Sequence, residues 1–108
     1  GIGLATAIAA AQEGAKVIIV SSNLDRINTA LSQLPKNSEG FAIDLSKESN
    51  IESFFTKIGN FDHLIYTAGE NLQLNLISET DINTTKSFFD LRFWSAVAAV
   101  KYATPFIN

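Results

Sequence analysis

Short apolar runs alternate along this chain with stretches whose apolar residues return every three or four positions. Residues 3–13 are rich in alanine and small aliphatics, a composition that predicts a helix. Gly14 stands where a helix terminator belongs. Lys16-Val17-Ile18-Ile19-Val20 follows as a run without alternation, the pattern of a parallel strand covered on both faces. Leu24, Ile27, Leu31 and Leu34 predict a second helix over 24–34, with Pro35 just after it. Phe41-Ala42-Ile43 predicts a short second strand ending at Asp44. Ser46 can cap a third helix whose apolar face is Ile51, Phe54, Phe55 and Ile58, and Gly59 can end it. His63-Leu64-Ile65-Tyr66 predicts a third strand, running into Thr67-Ala68-Gly69. Residues 70–79 read as a loop, and a long helix is predicted from about Thr84 to Ala103, before Pro105.

Strand starts near 16, 41 and 63 recur at roughly the 20–25 residue rhythm of repeated βαβ units, which cross over right-handed. The fold class expected is therefore α/β, a doubly wound parallel sheet, with residues 1–108 as one continuous segment free of repeats and linkers. Composition agrees: of 108 residues 46% are hydrophobic and 18% charged, the profile of one small globular unit. The net charge of −3 supplies no basic footprint for nucleic acid or an anionic membrane, and no apolar run approaches the ~20 residues of a membrane span. With no cysteine and one histidine, disulfides, cysteine nucleophiles and multi-histidine metal centres are excluded; no metal site is expected.

Chemistry concentrates at a few points. Gly1-Ile2-Gly3 opens the first helix, where glycines allow close approach to a diphosphate and the helix amino end presents N–H groups and a positive dipole. A helix opening in this way calls for a strand in front of it, so the chain reads as starting inside a motif. Asp44 ends the second strand, where ligands bind in open α/β sheets, although it also suits a loop acid or helix cap. His63 reads as a surface strand residue, Glu48 and Glu52 as a solvated helix face, and Asn83-Thr84-Thr85 as helix-start chemistry rather than a glycosylation site.

Gly1-Ile2-Gly3-Leu4-Ala5, followed by Glu13-Gly14-Ala15-Lys16-Val17, resembles the second half of the Thr-Gly-x-x-x-Gly-Ile-Gly signature of the short-chain dehydrogenase/reductase family. Asp44-Leu45 is similar to that family's adenine-contacting pair, and residues 61–69 to its Leu-Asp-x-Leu-Val-Asn-Asn-Ala-Gly strand. Phe89-Asp90-Leu91-Arg92 sits where the family reads Asp-Val-Asn. The resemblance implies a Rossmann-type partial domain lacking its first strand and C-terminal half, binding NADP or NAD through Gly1, Ile2, Gly3, Ser21, Ser22, Asn23, Arg26, Asp44, Leu45, Thr67, Ala68 and Gly69. It implies a cytoplasmic oxidoreductase moving hydride between nicotinamide and a small carbonyl or alcohol substrate, with no nucleic-acid or membrane partner.

Two departures stand out. Tyr66-Thr67 replaces the family's Asn-Asn pair, and Arg92 replaces the asparagine of its catalytic tetrad; arginine has no acceptor and gives up no proton. A variant relay, a direct contact with substrate or cofactor, and lost catalysis all remain open for Arg92. The family's serine and Tyr-x-x-x-Lys are expected beyond Asn108, since neither Tyr66 nor Tyr102 is followed by lysine four positions on. No catalytic residue is thus expected within the chain. NADP is expected over NAD, because Ser21-Ser22-Asn23 carries no acid at the strand tip and Arg26 lies one helical turn onward. The helix over 84–103 is apolar nearly all round, which implies burial on more than one side, against the sheet and against either neighbouring protein of the remaining half or a second subunit, and the resemblance implies homo-oligomer contacts there. A non-catalytic dinucleotide-binding sensor or scaffold is the alternative, and a methyltransferase on a related sheet a weaker one, disfavoured by Asp44-Leu45 and Ala68-Gly69.

Overall fold

A computed structural model of the chain describes residues 1–69 and 74–108, and the chain divides into two compact units, Gly1–Asp44 and Leu45–Asn108. The first unit begins with α1 (Ile2–Gln12). Gly14, at φ +92°, lets the chain leave that helix: its N–H bonds Ala11 O at 3.0 Å and the Ala15 N–H bonds Ala10 O at 3.1 Å. These two bonds form a Schellman motif, which satisfies carbonyls the helix end would otherwise orphan.

Strand β1 (Ile18–Ser21), helix α2 (Leu24–Leu31) and strand β2 (Glu39–Ala42) then form one βαβ unit. The strands are parallel, with Ile18 opposite Glu39 and Ser21 opposite Ala42. β1 starts later than its apolar run and extends to Ser21, while β2 starts earlier, at Glu39. The ladder rather than hydropathy sets these limits: Val17 O accepts the Glu39 N–H at 3.0 Å, and Lys16 salt-bridges Glu39 at 3.1 Å. α2 stops at Leu31 instead of Leu34. Residues 32–34 close short turns, with Gln33 N–H on Ala30 O and Leu34 N–H on Leu31 O, because the residue before Pro35 is pushed away from helical geometry. Ile27 is the buried side chain of α2, and it packs where β2 carries Gly40.

In the second unit α3 (Glu48–Ile58) follows Lys47, not the expected Ser46 cap, and ends at Gly59 with φ +69°. Its Ile51, Phe54 and Phe55 are buried, and α3 packs against the last helix of the chain. Phe55 meets Phe54 edge-on at 5.1 Å and stacks on Phe61 at 5.7 Å. The expected third strand, residues 63–66, joins no ladder among the described residues. Pairing occurs earlier, as a parallel bridge between Phe61 and Ile107, with Phe61 N–H on Phe106 O at 3.1 Å and Asn108 N–H on Phe61 O at 2.9 Å. An apolar run supplies strand side chains, but a strand also needs a neighbour for its N–H and C=O groups.

Within the expected loop 70–79, residues 70–73 lie outside the described residues and Ile77–Glu79 form a 3₁₀ turn. The expected single helix over 84–103 is three pieces: α4 (Ile82–Phe89), a π-helical segment (Asp90–Trp94) and α5 (Ser95–Ala103). It starts two residues early because Asp81 caps it, accepting the Thr84 N–H at 2.9 Å and the Thr84 hydroxyl at 2.6 Å. α5 buries small residues, Ser95, Ala99 and Ala103, and leaves Phe89, Phe93, Trp94, Val97 and Val100 exposed along the same helical stretch.

Candidate functional site

In the first unit the candidate residues stand at the amino end of α1 and the carboxyl ends of the strands. Gly1 is the N-cap of α1 and offers no side-chain cap, and the first turn holds no acid. The first intrahelical bond is Ala5 N–H to Gly1 O at 3.2 Å, so the N–H groups of Ile2, Gly3 and Leu4 fall outside the helix's own ladder. An amino end with a glycine N-cap and no acid in its first turn suits an anion such as a dinucleotide diphosphate.

Parallel pairing sets the carboxyl ends of β1 and β2 together, with the Ile43 N–H on Ser21 O at 2.8 Å. Ser21 Oγ accepts the Asn23 N–H at 3.4 Å, and Asn23 Oδ1 accepts the Arg26 N–H at 3.0 Å, so Asn23 caps α2. Ser22, Asn23 and Arg26 are exposed, as is Asp44 just past β2. Asp25 is the one acid in the first turn of α2. Ser21, Ser22, Asn23 and Arg26 are thus brought together locally, as the sequence suggested. The cap role of Asn23 was readable from its position before an apolar-periodic run.

In the second unit Leu45 and Ala68 are half-buried and Thr67 and Gly69 exposed. Arg92 reaches Gly69 from the π segment. A Cβ on Gly69 would lie 2.9 Å from the Arg92 Cζ and 3.1 Å from an Nη, so the guanidinium lies directly over that glycine. The same Cζ sits 4.8 Å from the Phe88 ring centroid, in cation–π contact. The Tyr66 hydroxyl donates to Leu91 O at 2.6 Å. Burial pushes the Tyr66 phenol above its ordinary value while a hydrogen bond with Ser95 pulls the other way, so it remains a protonated donor through neutral pH. Ser95, only 4% exposed, donates its hydroxyl to Asp90 O at 2.6 Å.

Sequence reasoning had not found the roles of Tyr66, Phe88 and Ser95. The i, i+4 spacing of Phe88 and Arg92 was the available signal; the bonds of Tyr66 and Ser95 depend on a π segment that no residue pattern announced. Glu48, read as a solvated acid, accepts the Tyr102 hydroxyl at 2.8 Å and lies 3.8 Å from Lys101 Nζ, tying α3 to α5. Glu52 and His63 are exposed. Among the described residues no group of three or more His, Cys, Asp or Glu gathers to hold a metal, and no helix is long and apolar enough to cross a membrane.

A βαβ unit on a parallel sheet, with a glycine at the helix amino end and polar residues at the strands' carboxyl ends, defines a doubly wound α/β protein of the Rossmann type. Serine dehydrogenase from Escherichia coli shows that fold: its structure matches 97% of this chain at a TM-score of 0.88 and 20% identity, over 50% of its own length. A sequence profile for the short chain dehydrogenases matches residues 1–108, and the chain belongs to that family. An uncharacterized oxidoreductase of Schizosaccharomyces pombe is 39% identical over the whole chain, which covers 44% of that relative. A short-chain dehydrogenase/reductase of Stachybotrys chlorohalonatus is 36% identical, with 47% of its length covered. The chain thus spans less than half the length of these curated relatives. A small-chain dehydrogenase solved in complex with NADPH matches 86% of the chain and 46% of its own length, at 25% identity and a TM-score of 0.65.

Proposed function

We propose that this chain is the dinucleotide-holding part of an oxidoreductase that binds NADP(H) in preference to NAD(H) and acts on a small carbonyl or alcohol. The observation that carries the reading is the amino end of α1, with a glycine N-cap, no side-chain cap and no acid in its first turn. The names of the curated relatives as oxidoreductases and the NADPH complex of one similar dehydrogenase support it. Gly1, Ile2 and Gly3 would hold the diphosphate, Ser21, Ser22, Asn23 and Arg26 the adenosine ribose and its phosphate, and Asp44 and Leu45 the adenine. Thr67, Ala68 and Gly69 would line the cofactor further along. Bound there, the nicotinamide supplies the hydride transfer, and these residues orient it. No Tyr-x-x-x-Lys occurs in these 108 residues, so the reading assigns them cofactor holding rather than the acid–base step.

The NADP preference rests on charge. No acid stands at Ser21-Ser22-Asn23 to repel a 2′-phosphate, and Arg26 stands in the first turn of α2, where a cation opposes the helix dipole and adds nothing to the helix itself. A charge-assisted bond of about 1.5–3 kcal/mol corresponds to a preference of roughly tenfold or more. Titrating NADPH and NADH against the intact protein and its Arg26→Ala variant tests this. Tighter NADPH binding that shrinks in the variant is expected; equal or tighter NADH binding overturns it. Arg92, where the family carries an asparagine, favours one second reading, a binding protein without catalysis. NADPH binding with no oxidation on any carbonyl would select it.

A further inference from the structure

We propose that Tyr66 and Arg92 form one brace that holds the Thr67–Gly69 segment in its binding shape, so that the two departures from the family pattern work as a pair. The brace is a closed circuit within the second unit. Tyr66 donates to the carbonyl of Leu91, and that carbonyl belongs to the peptide joining Leu91 to Arg92, so the phenol sets the plane from which Arg92 projects. Arg92 then runs back past the Phe88 ring and lays its guanidinium over Gly69, three residues on from Tyr66.

The π segment makes this possible. π geometry is rare and needs outside support; here the Ser95 N–H and hydroxyl both bond Asp90 O, and the phenol takes the next carbonyl. The segment itself has need of a brace, since residues 63–69 join no ladder among the described residues. The fit also explains the glycine. Gly69 is not in the left-handed region, so Gly69→Ala is conformationally allowed, and what it would displace is the Arg92 guanidinium. Arg92 and Tyr66 are therefore positioning residues, and they act on the cofactor through the Thr67–Gly69 segment.

The inference rests on the reading that Thr67–Gly69 lines the cofactor, and its test separates the two. NADPH affinity of the intact protein is measured for Tyr66→Phe, Arg92→Ala, Arg92→Lys, Gly69→Ala and their pairs. Each of Tyr66→Phe and Arg92→Ala is expected to weaken NADPH about tenfold, the loss of one hydrogen-bond-sized contribution, and the double variant no further. Arg92→Lys should not restore affinity, because an ammonium lacks the flat face that covers Gly69. Gly69→Ala should weaken binding in the parent and add nothing in Arg92→Ala. Independently of cofactor, the Gly69 amide resonance should move in Tyr66→Phe, which removes the bond to Leu91 O. Multiplying losses in the double variant, or an unmoved Gly69 resonance, overturn the brace. If the parent binds neither NADPH nor NADH, the cofactor reading falls while the resonance still decides the brace. Should Tyr66→Phe fail to fold, the Gly69→Ala comparison in Arg92→Ala, which truncates an exposed side chain, decides between brace and no brace.

Discussion

Gly40 serves the first unit by having no side chain where α2 crosses β2. A Cβ on Gly40 would come within 2.5 Å of Ile27 Cγ2 and 3.1 Å of Leu31 Cδ1, so α2 lies on β2 at the distance only a glycine permits. Ile27 is 3% exposed and β-branched, and its Cγ2 sits on a stiff χ1 that cannot swing clear. Gly40→Ala should therefore cost about 1–3 kcal/mol, the usual penalty of overpacking. Urea denaturation of the intact protein checks it, and a midpoint equal to the parent's would show that α2 can move away. The role of Gly40 was not legible in sequence, because it emerges only once α2 lies across the ladder.

Among the elements, the helix over 82–103 departs most from expectation. Its apolar content predicted one helix, and its interior instead switches to π geometry at Asp90–Trp94. Its start is more regular, and it carries a pH prediction. The Thr84 hydroxyl and N–H bonds hold the Asp81 carboxyl below its usual value. A depressed carboxyl stabilises the fold fully above the unfolded value and loses that contribution as pH falls through the folded one. The first turn of α4 should thus loosen below the ordinary carboxylate range, and in Asp81→Ala it should be loose at every pH. The Thr84 amide shift followed from pH 6 downward reports this; a pH-independent shift in the parent would refute the cap's role. Asp81 was missed because the predicted start fell at Thr84, although an aspartate directly before an apolar residue, here Ile82, is a recognisable cap signature.

For the whole molecule, the open question is what covers α4 to α5. Phe89, Phe93, Trp94, Val97 and Val100 stay exposed, Trp94 at 62% and Val100 at 61%, while the small Ser95, Ala99 and Ala103 turn inward. The all-round apolar helix thus buries its small side and presents its large one, and of the two covers expected for it, further protein of the same subunit or a second subunit, we propose the second. Sedimentation of the intact protein should show a dimer or larger species, and Val97→Glu with Val100→Glu should dissociate it. A monomeric parent at micromolar concentration would end the proposal.

The order of helices and strands as far as α3, the parallel α/β class, the glycine exits of α1 and α3, and the family were legible in the chain itself. Each depends on local chemistry: periodicity, backbone freedom at Gly14 and Gly59, and the spacing of short motifs. Strand limits were decided by tertiary structure, because a strand ends where its partner's N–H and C=O groups end, as at Glu39 and Ser21. The same holds for the lack of a ladder at 63–66, where apolar side chains found no paired backbone among the described residues. Most of all it holds for Arg92. Its identity marked a departure, but its guanidinium lies over Gly69 from within a widened helical segment whose Leu91 carbonyl takes a phenol from twenty-five residues earlier. Such a contact joins residues that no local pattern couples, so only the folded chain could reveal it.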